Sequence, residues 1–138
     1  MTFETRLEVR YPDCDSMGIV HHAVYPIWYE MARMDVFEKC GFGYSHTHAL
    51  GIDPAMVHLE LNYGAPVSYP AAVTVKTHIT LCEGKKLGFR YEIIPNGQES
   101  AIASASSFHI WVKDGKAYHL ETEQPEIFSA YRAALETV

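Results

Sequence analysis

Residues 13–33 read DCDSMGIVHHAVYPIWYEMAR, and this stretch decides the fold because a turn-forming loop runs directly into a long helix. Two acids and Gly18 mark the loop. The residues after it follow the three- and four-residue spacing of a helix face, namely Val24, Ile27, Met31, Met34 and Glu38, and Trp28 and Phe37 widen its apolar part. We therefore predict one long, largely buried helix over residues 23–40, ended by the glycines that follow.

Alternating strands flank this helix in the sequence. Residues 3–11 alternate apolar and mostly charged side chains, which predicts a half-buried strand before the loop. Similar segments after the helix predict four more strands, over residues 57–63, 73–81, 87–93 and 101–113, the last of them central because it is apolar on both faces. Two further helices are predicted, over residues 44–50 and 125–135.

A helix longer than any strand has to bury most of its sides, and a curved antiparallel sheet wrapped around it achieves this most simply. We therefore predict an α+β fold with one long central helix wrapped by a curved antiparallel five-stranded sheet, whose last four strands form a meander. Residues 1–138 are expected to form a single domain, since a domain averages about 150 residues. The open sheet edges predict pairing into a homodimer or homotetramer.

The composition narrows the classes of partner. The 17 acidic and 11 basic residues give a net charge of −6, so the chain lacks the basic field that nucleic acid or an anionic membrane requires. No apolar run reaches the 18 residues of a membrane span. Three cysteines without a C-x-x-C pair indicate reduced thiols, and we expect a cytoplasmic protein.

The loop and the start of the helix hold groups suited to acyl transfer or hydrolysis. The backbone N–H groups of His22, Ala23 and Val24 would have no partner within the helix, and the helix dipole adds positive charge there. Such a place stabilises a carbonyl oxygen that becomes negative. Asp15 on the loop could attack that carbonyl or activate water. An Asp-x-Asp loop is also ordinary turn and capping chemistry, so the residues alone leave both interpretations open.

The same stretch resembles the 4-hydroxybenzoyl-CoA thioesterase family of hot-dog-fold proteins. The shared pattern is D-x-D-x-x-G-[IV]-V followed by an aromatic-rich helix that ends in E-x-x-R, and it is carried here by Asp13, Asp15, Gly18, Ile19, Val20, Tyr25, Trp28, Glu30 and Arg33. The order of strand, helix and strands also matches over essentially the whole chain. The resemblance implies a hot-dog fold and hydrolysis of an acyl-CoA to a carboxylic acid and free CoA, without a cofactor.

The resemblance also implies roles for individual residues. Asp15 would match the catalytic aspartate, as nucleophile or general base, and the His22 backbone N–H would match the donor that polarises the thioester carbonyl. Gly18 would allow the close turn of the loop. The family meets the CoA phosphates with basic residues, and the nearest basic cluster here is Lys85, Lys86 and Arg90. Tyr25 on the helix could line an acyl pocket or belong simply to the core.

Three alternatives stay open. Glu30 ranks second as the catalytic carboxylate, since another branch of hot-dog thioesterases carries that group on the helix, and a salt bridge with Arg33 is its structural alternative. A hydratase or dehydratase on the same fold is the first rival, although Val20 stands where its D-x-x-x-x-H spacing requires histidine. A non-catalytic acyl-thioester-binding protein is the second rival.

The sequence offers no metal site. Adjacent His21 and His22 cannot both face one ion from a regular helix, and we predict no metal site.

Overall fold

The computed structural model describes residues 1–135. Its elements in chain order are β1 Phe3–Glu8, a 3-10 turn Tyr11–Asp13, α1 Val24–Lys39, α2 Tyr44–Ala49, β2 Ile52–Tyr63, β3 Ala72–Glu83, β4 Lys86–Pro95, β5 Ala103–Lys113, β6 Lys116–Ala117, α3 Leu120–Glu123 and α4 Pro125–Ala133. Every predicted helix and strand is present. In this part of the chain, none of the helices has the length and apolar character needed to cross a membrane.

The strands form one antiparallel sheet in the order β1-β3-β4-β5-β2, with the short β6 paired to β5. The predicted α+β class is confirmed. The predicted four-strand meander is wrong, because only β3, β4 and β5 follow one another side by side, while β2 lies at the far edge beside β5. The chain passes through α1 between β1 and β2, and the two strands end at opposite edges of the sheet. The predicted count of five strands also omitted β6, which a tight turn adds to β5.

The long helix buries a largely aromatic face that overlaps the predicted one in Trp28 and Phe37 but not in Ile27 and Met31. Its buried residues are Tyr25, Trp28, Tyr29, Ala32, Arg33, Val36 and Phe37. Ile27 and Met31, which belong to the predicted apolar face, are 54% and 49% exposed and line a surface groove beside Leu7. Large rings bury more apolar area than aliphatic side chains, so the aromatic row faces the sheet. The centroid of the Tyr29 ring, for example, lies 4.8 Å from the centroid of the Tyr91 ring of β4.

Strand register separates the two ends of the sheet. Tyr63, at the end of β2, pairs with Ala103 at the start of β5, which in turn pairs with Ile93 of β4. Lys86, at the start of β4, pairs instead with Ile110 near the end of β5. At the rise of a strand, the seven residue-to-residue steps from Lys86 to Ile93 span about 23 Å. The turn before β4 and the end of β2 therefore lie at opposite ends of the sheet.

Candidate active site

The loop before α1 is closed as a tight turn around Asp15. Cys14 and Val20 form an antiparallel bridge across it. The Asp15 N–H donates to the Ile19 carbonyl at 2.9 Å, and the Gly18 N–H donates to the Asp15 carbonyl at 3.0 Å. Gly18 has a φ of +78°, in the left-handed region that favours glycine. The backbone of Asp15 is thus held on both sides by the turn.

The turn orients the Asp15 side chain but uses only one of its two carboxylate oxygens. Its Oδ1 accepts a hydrogen bond from the Met17 N–H at 2.8 Å. Its Oδ2 has no hydrogen-bond partner among residues 1–135, and the side chain is only half-buried. One carboxylate oxygen is therefore available to a ligand or to water.

Asp13 anchors the loop from inside the protein. It is 3% exposed, and its carboxylate accepts hydrogen bonds at 2.8 Å from both the backbone and the guanidinium of Arg10. Burial alone would raise the pKa of Asp13, but the hydrogen bonds and charge of Arg10 together lower it below its usual value. The Asp13 carbonyl also accepts the His21 N–H at 2.8 Å, which ties the loop to the segment before α1.

Three backbone N–H groups at the helix start were predicted to lack a hydrogen-bond acceptor, and only one of them does within residues 1–135. The Val24 N–H donates to the His21 carbonyl at 2.9 Å, and the Ala23 N–H donates to the His21 Nδ1 at 3.0 Å. The His22 N–H has no acceptor within residues 1–135. Since C=O and N–H point in opposite directions across a trans peptide, the bond at the His21 carbonyl turns the His22 N–H away from the helix.

A cavity of about 230 Å³ brings these groups together. Its lining residues are Asp15, Ile19, Val20, His22, Tyr25, Tyr63, Gly64 and Pro66. The Tyr63 hydroxyl donates to the His22 carbonyl at 2.8 Å, and the Tyr63 ring lies 4.9 Å from the Tyr25 ring. The sequence interpretation missed Tyr63, because its position in an alternating strand signalled only a packing role. The cavity therefore joins the loop, the helix start and the end of β2.

The structure does not bring Glu30 to this cavity. Glu30 is exposed on α1 and is not among the lining residues. The salt bridge suggested between Glu30 and Arg33 is wrong, because Arg33 is buried and donates to the Tyr91 hydroxyl at 3.2 Å instead. Helical spacing allowed the pair, but the two side chains leave α1 on different sides.

The three basic residues predicted to meet CoA phosphates also lie away from the cavity of their own chain. Lys85 and Lys86 are exposed at the turn that begins β4, and Arg90 is exposed on the outer face of the same strand. Lys85 and Lys86 lie at the end of the sheet opposite Tyr63, whereas Arg90 lies between the two ends, paired with Ser106 of β5. Across residues 1–135, no group of three or more His, Cys, Asp or Glu side chains is arranged to hold a metal ion.

Comparison with known proteins identifies the class to which this fold and cavity belong. The model of the thioesterase-like superfamily matches residues 9–132, and the chain belongs to that family. The predicted kinship, the hot-dog fold and the enzyme class, a thioester hydrolase, are thereby confirmed.

Individual relatives align over most of their length. YneP of Bacillus subtilis (strain 168), provisionally named an acyl-CoA thioesterase, is 32% identical over 129 residues, which cover 93% of this chain and 94% of YneP. The acyl-CoA thioester hydrolase YbgC of Escherichia coli O157:H7 is 28% identical over 75% of this chain and 76% of its own. A crystal structure of DHNA-CoA thioesterase from Staphylococcus aureus superposes with a TM-score of 0.90 at 30% identity, covering 96% of this chain and 89% of that one.

Proposed function

We propose that this protein hydrolyses acyl-CoA thioesters, with Asp15 as nucleophile or general base and the His22 N–H as oxyanion donor. The observation that carries the proposal is that Asp15 and His22 line one cavity at the start of α1. The names of YneP, YbgC and the S. aureus enzyme support acyl-CoA as the class of substrate.

The chemistry requires only these two groups and water. As a general base, Asp15 would take a proton from the water that attacks the thioester carbonyl, and the tetrahedral intermediate would expel CoA as its thiolate. As a nucleophile, Asp15 would first form an acyl anhydride with release of the thiolate, and water would then cleave the anhydride. Both routes place negative charge on the carbonyl oxygen, where one backbone donor typically contributes about 100- to 1,000-fold in rate.

The direct experiment measures free thiol release from a panel of aliphatic and aromatic acyl-CoAs. We expect the purified protein to release CoA together with one equivalent of carboxylic acid. Calorimetric binding of acyl-CoA without thiol release would instead support the binding protein. Addition of water to an enoyl-CoA, or its loss from a 3-hydroxyacyl-CoA, again without thiol release, would support the hydratase or dehydratase.

Assembly is the first prediction from the proposed function. β2 leaves one edge of the sheet unpaired within residues 1–135, and its Val57 is 62% exposed. Apolar edge strands of this kind pair with a second copy. We expect light scattering to give a homodimer or homotetramer, at least twice the 15.6 kDa chain mass.

Two variants locate the interface. Val57→Lys places a charge on the β2 edge and should yield the monomer, whereas Ile27→Lys on the exposed side of α1 should leave the assembly intact. A 15.6 kDa mass for the wild type at micromolar concentration contradicts the prediction.

The second prediction from the proposed function concerns the basic cluster at β4. Lys86 and Arg90 share the outer face of the strand, and CoA phosphates need positive charge on a chain of net charge −6. In one chain Lys86 lies at the opposite end of the sheet from the cavity and Arg90 lies between the two ends, so the CoA nucleotide would have to extend along the sheet or meet this cluster on a second copy. We expect Lys86→Glu combined with Arg90→Glu to raise KM for acyl-CoA about tenfold with little change in kcat.

Salt and substrate separate this role from a structural one. The rise in KM should shrink as ionic strength increases, because exposed charges are screened. An acyl-N-acetylcysteamine, which lacks the nucleotide, should be hydrolysed equally by wild type and double variant. Equal losses with both substrates would mean that the two residues support the fold and do not bind CoA.

A further inference from the structure

The His22 carbonyl lacks the donor that a helix would normally supply. Ala23, just before α1, already has helical backbone angles, with φ −72° and ψ −12°. A helix that continued one residue earlier would bond the His22 carbonyl to the N–H four residues on. That residue is Pro26, which has no N–H. The Tyr63 hydroxyl donates to this carbonyl instead, at 2.8 Å.

We infer that Tyr63 is a positioning residue for the oxyanion donor of the reaction, an inference that rests on the proposed function. His22 contributes the N–H of one peptide group and the carbonyl of the next. The first peptide is tied through the His21 carbonyl to the Val24 N–H. The second is tied through the His22 carbonyl to Tyr63. With both peptides held, the direction of the His22 N–H is fixed, and His22 lines the same cavity as Asp15.

Tyr63 is itself held in the geometry that this role needs. Tyr63 ends β2, where its backbone pairs with Ala103 of β5. Its ring packs against the buried Tyr25 ring, with 4.9 Å between the ring centroids. Burial raises the pKa of Tyr63 above its usual value, so the hydroxyl keeps its proton at neutral pH and acts as a donor. The contact joins the sheet edge to the helix start across 41 residues of sequence.

Loss of the hydroxyl should misplace the donor without removing it. An error of about 1 Å in a catalytic group can cost up to about 100-fold in rate, and complete loss of one oxyanion donor costs about 100- to 1,000-fold. Tyr63→Phe leaves the His22 N–H present and the ring contact with Tyr25 intact. We expect kcat to fall about tenfold while KM stays within about twofold, because the donor acts on the charge that develops in the transition state.

Tyr69→Phe is the matched control. Tyr69 is 50% exposed against 48% for Tyr63, and its hydroxyl has no hydrogen bond within residues 1–135. The control should keep wild-type kcat and KM. Both variants should keep the thermal midpoint within about 2 °C, since each loses one atom from a half-exposed side chain. In addition, the ¹³C resonance of the His22 carbonyl should move in Tyr63→Phe and stay in place in Tyr69→Phe.

Each alternative outcome is distinct. Wild-type kcat in Tyr63→Phe overturns the inference, and so does a higher KM at unchanged kcat, which would make Tyr63 a substrate contact. A loss of activity that follows a lower thermal midpoint would make the role structural. If the wild type itself releases no thiol from any acyl-CoA, the proposed function fails and the positioning role fails with it. The two failures can be told apart. If the wild type is active and Tyr63→Phe leaves kcat unchanged, only the positioning role fails.

Discussion

Asp15→Asn is expected to lower kcat at least about 100-fold and to leave the free energy of unfolding nearly unchanged. Asparagine keeps the shape of the side chain, and its oxygen can still accept the Met17 N–H that orients Asp15. It lacks the negative charge that attack on a thioester or removal of a proton from water requires. Steady-state thiol release and urea denaturation of the same preparations measure the two quantities.

Glu30→Gln is the control for this prediction. It removes a carboxylate from α1 that is exposed and does not line the cavity, so it should retain wild-type activity. Activity of Asp15→Asn within about twofold of wild type would contradict the assignment. If Glu30→Gln were then the inactive variant, the catalytic role would move to the helix.

A steep loss of stability below neutral pH is the second large effect, and it comes from a chain of hydrogen bonds through the core. Neutral His109 has to donate from Nδ1 to the Pro54 carbonyl, at 3.1 Å, so its Nε2 accepts from Ser107 at 2.8 Å. Ser107 then accepts from the Tyr91 hydroxyl at 2.7 Å, and Tyr91 accepts from Arg33 at 3.2 Å. The chain of donors therefore runs in one direction, from α1 through β4 and β5 to β2.

Protonation of His109 would break this order. Burial, together with the nearby charge of Arg33, lowers the pKa of His109 to about 4. In the unfolded chain the pKa of a histidine is about 6.5, so between these values the unfolded state binds a proton that the folded state does not. Stability therefore falls as the pH falls through this window. We expect a loss of roughly 2 kcal/mol between neutral pH and about pH 4, once partial solvent screening is allowed for.

His109→Gln tests the source of this pH dependence. Glutamine can donate and accept hydrogen bonds but does not titrate, so the variant should show a flatter decline of unfolding free energy between about pH 6.5 and pH 4. His58→Gln, at an exposed position of β2, should retain the wild-type decline. An unchanged slope in His109→Gln would mean that other groups produce the pH dependence.

Local sequence determined the long helix, the turn before it and the proximity of Asp15 to His22. Each depends on residues within a few positions of one another: the apolar spacing of residues 24–37, a glycine able to adopt a positive φ, and a loop of seven residues that leads into a helix start. Such features involve little loop closure, so the pattern of residue types is enough to specify them. The strand segments were equally predictable, because alternation depends only on the two faces of a strand.

Tertiary structure alone decided the contacts between distant segments. Alternation shows that residues 57–63 form a strand but not which edge it joins, so β2 was placed in a meander although it pairs with β5. The face that α1 buries depends on which rings fit against β4 and β5, and this removed Ile27 and Met31 from the core. The bond from Tyr63 to His22 exists only because the sheet curls back to the start of α1. Helical and strand periods are local properties, whereas these contacts depend on how the whole sheet closes around the helix.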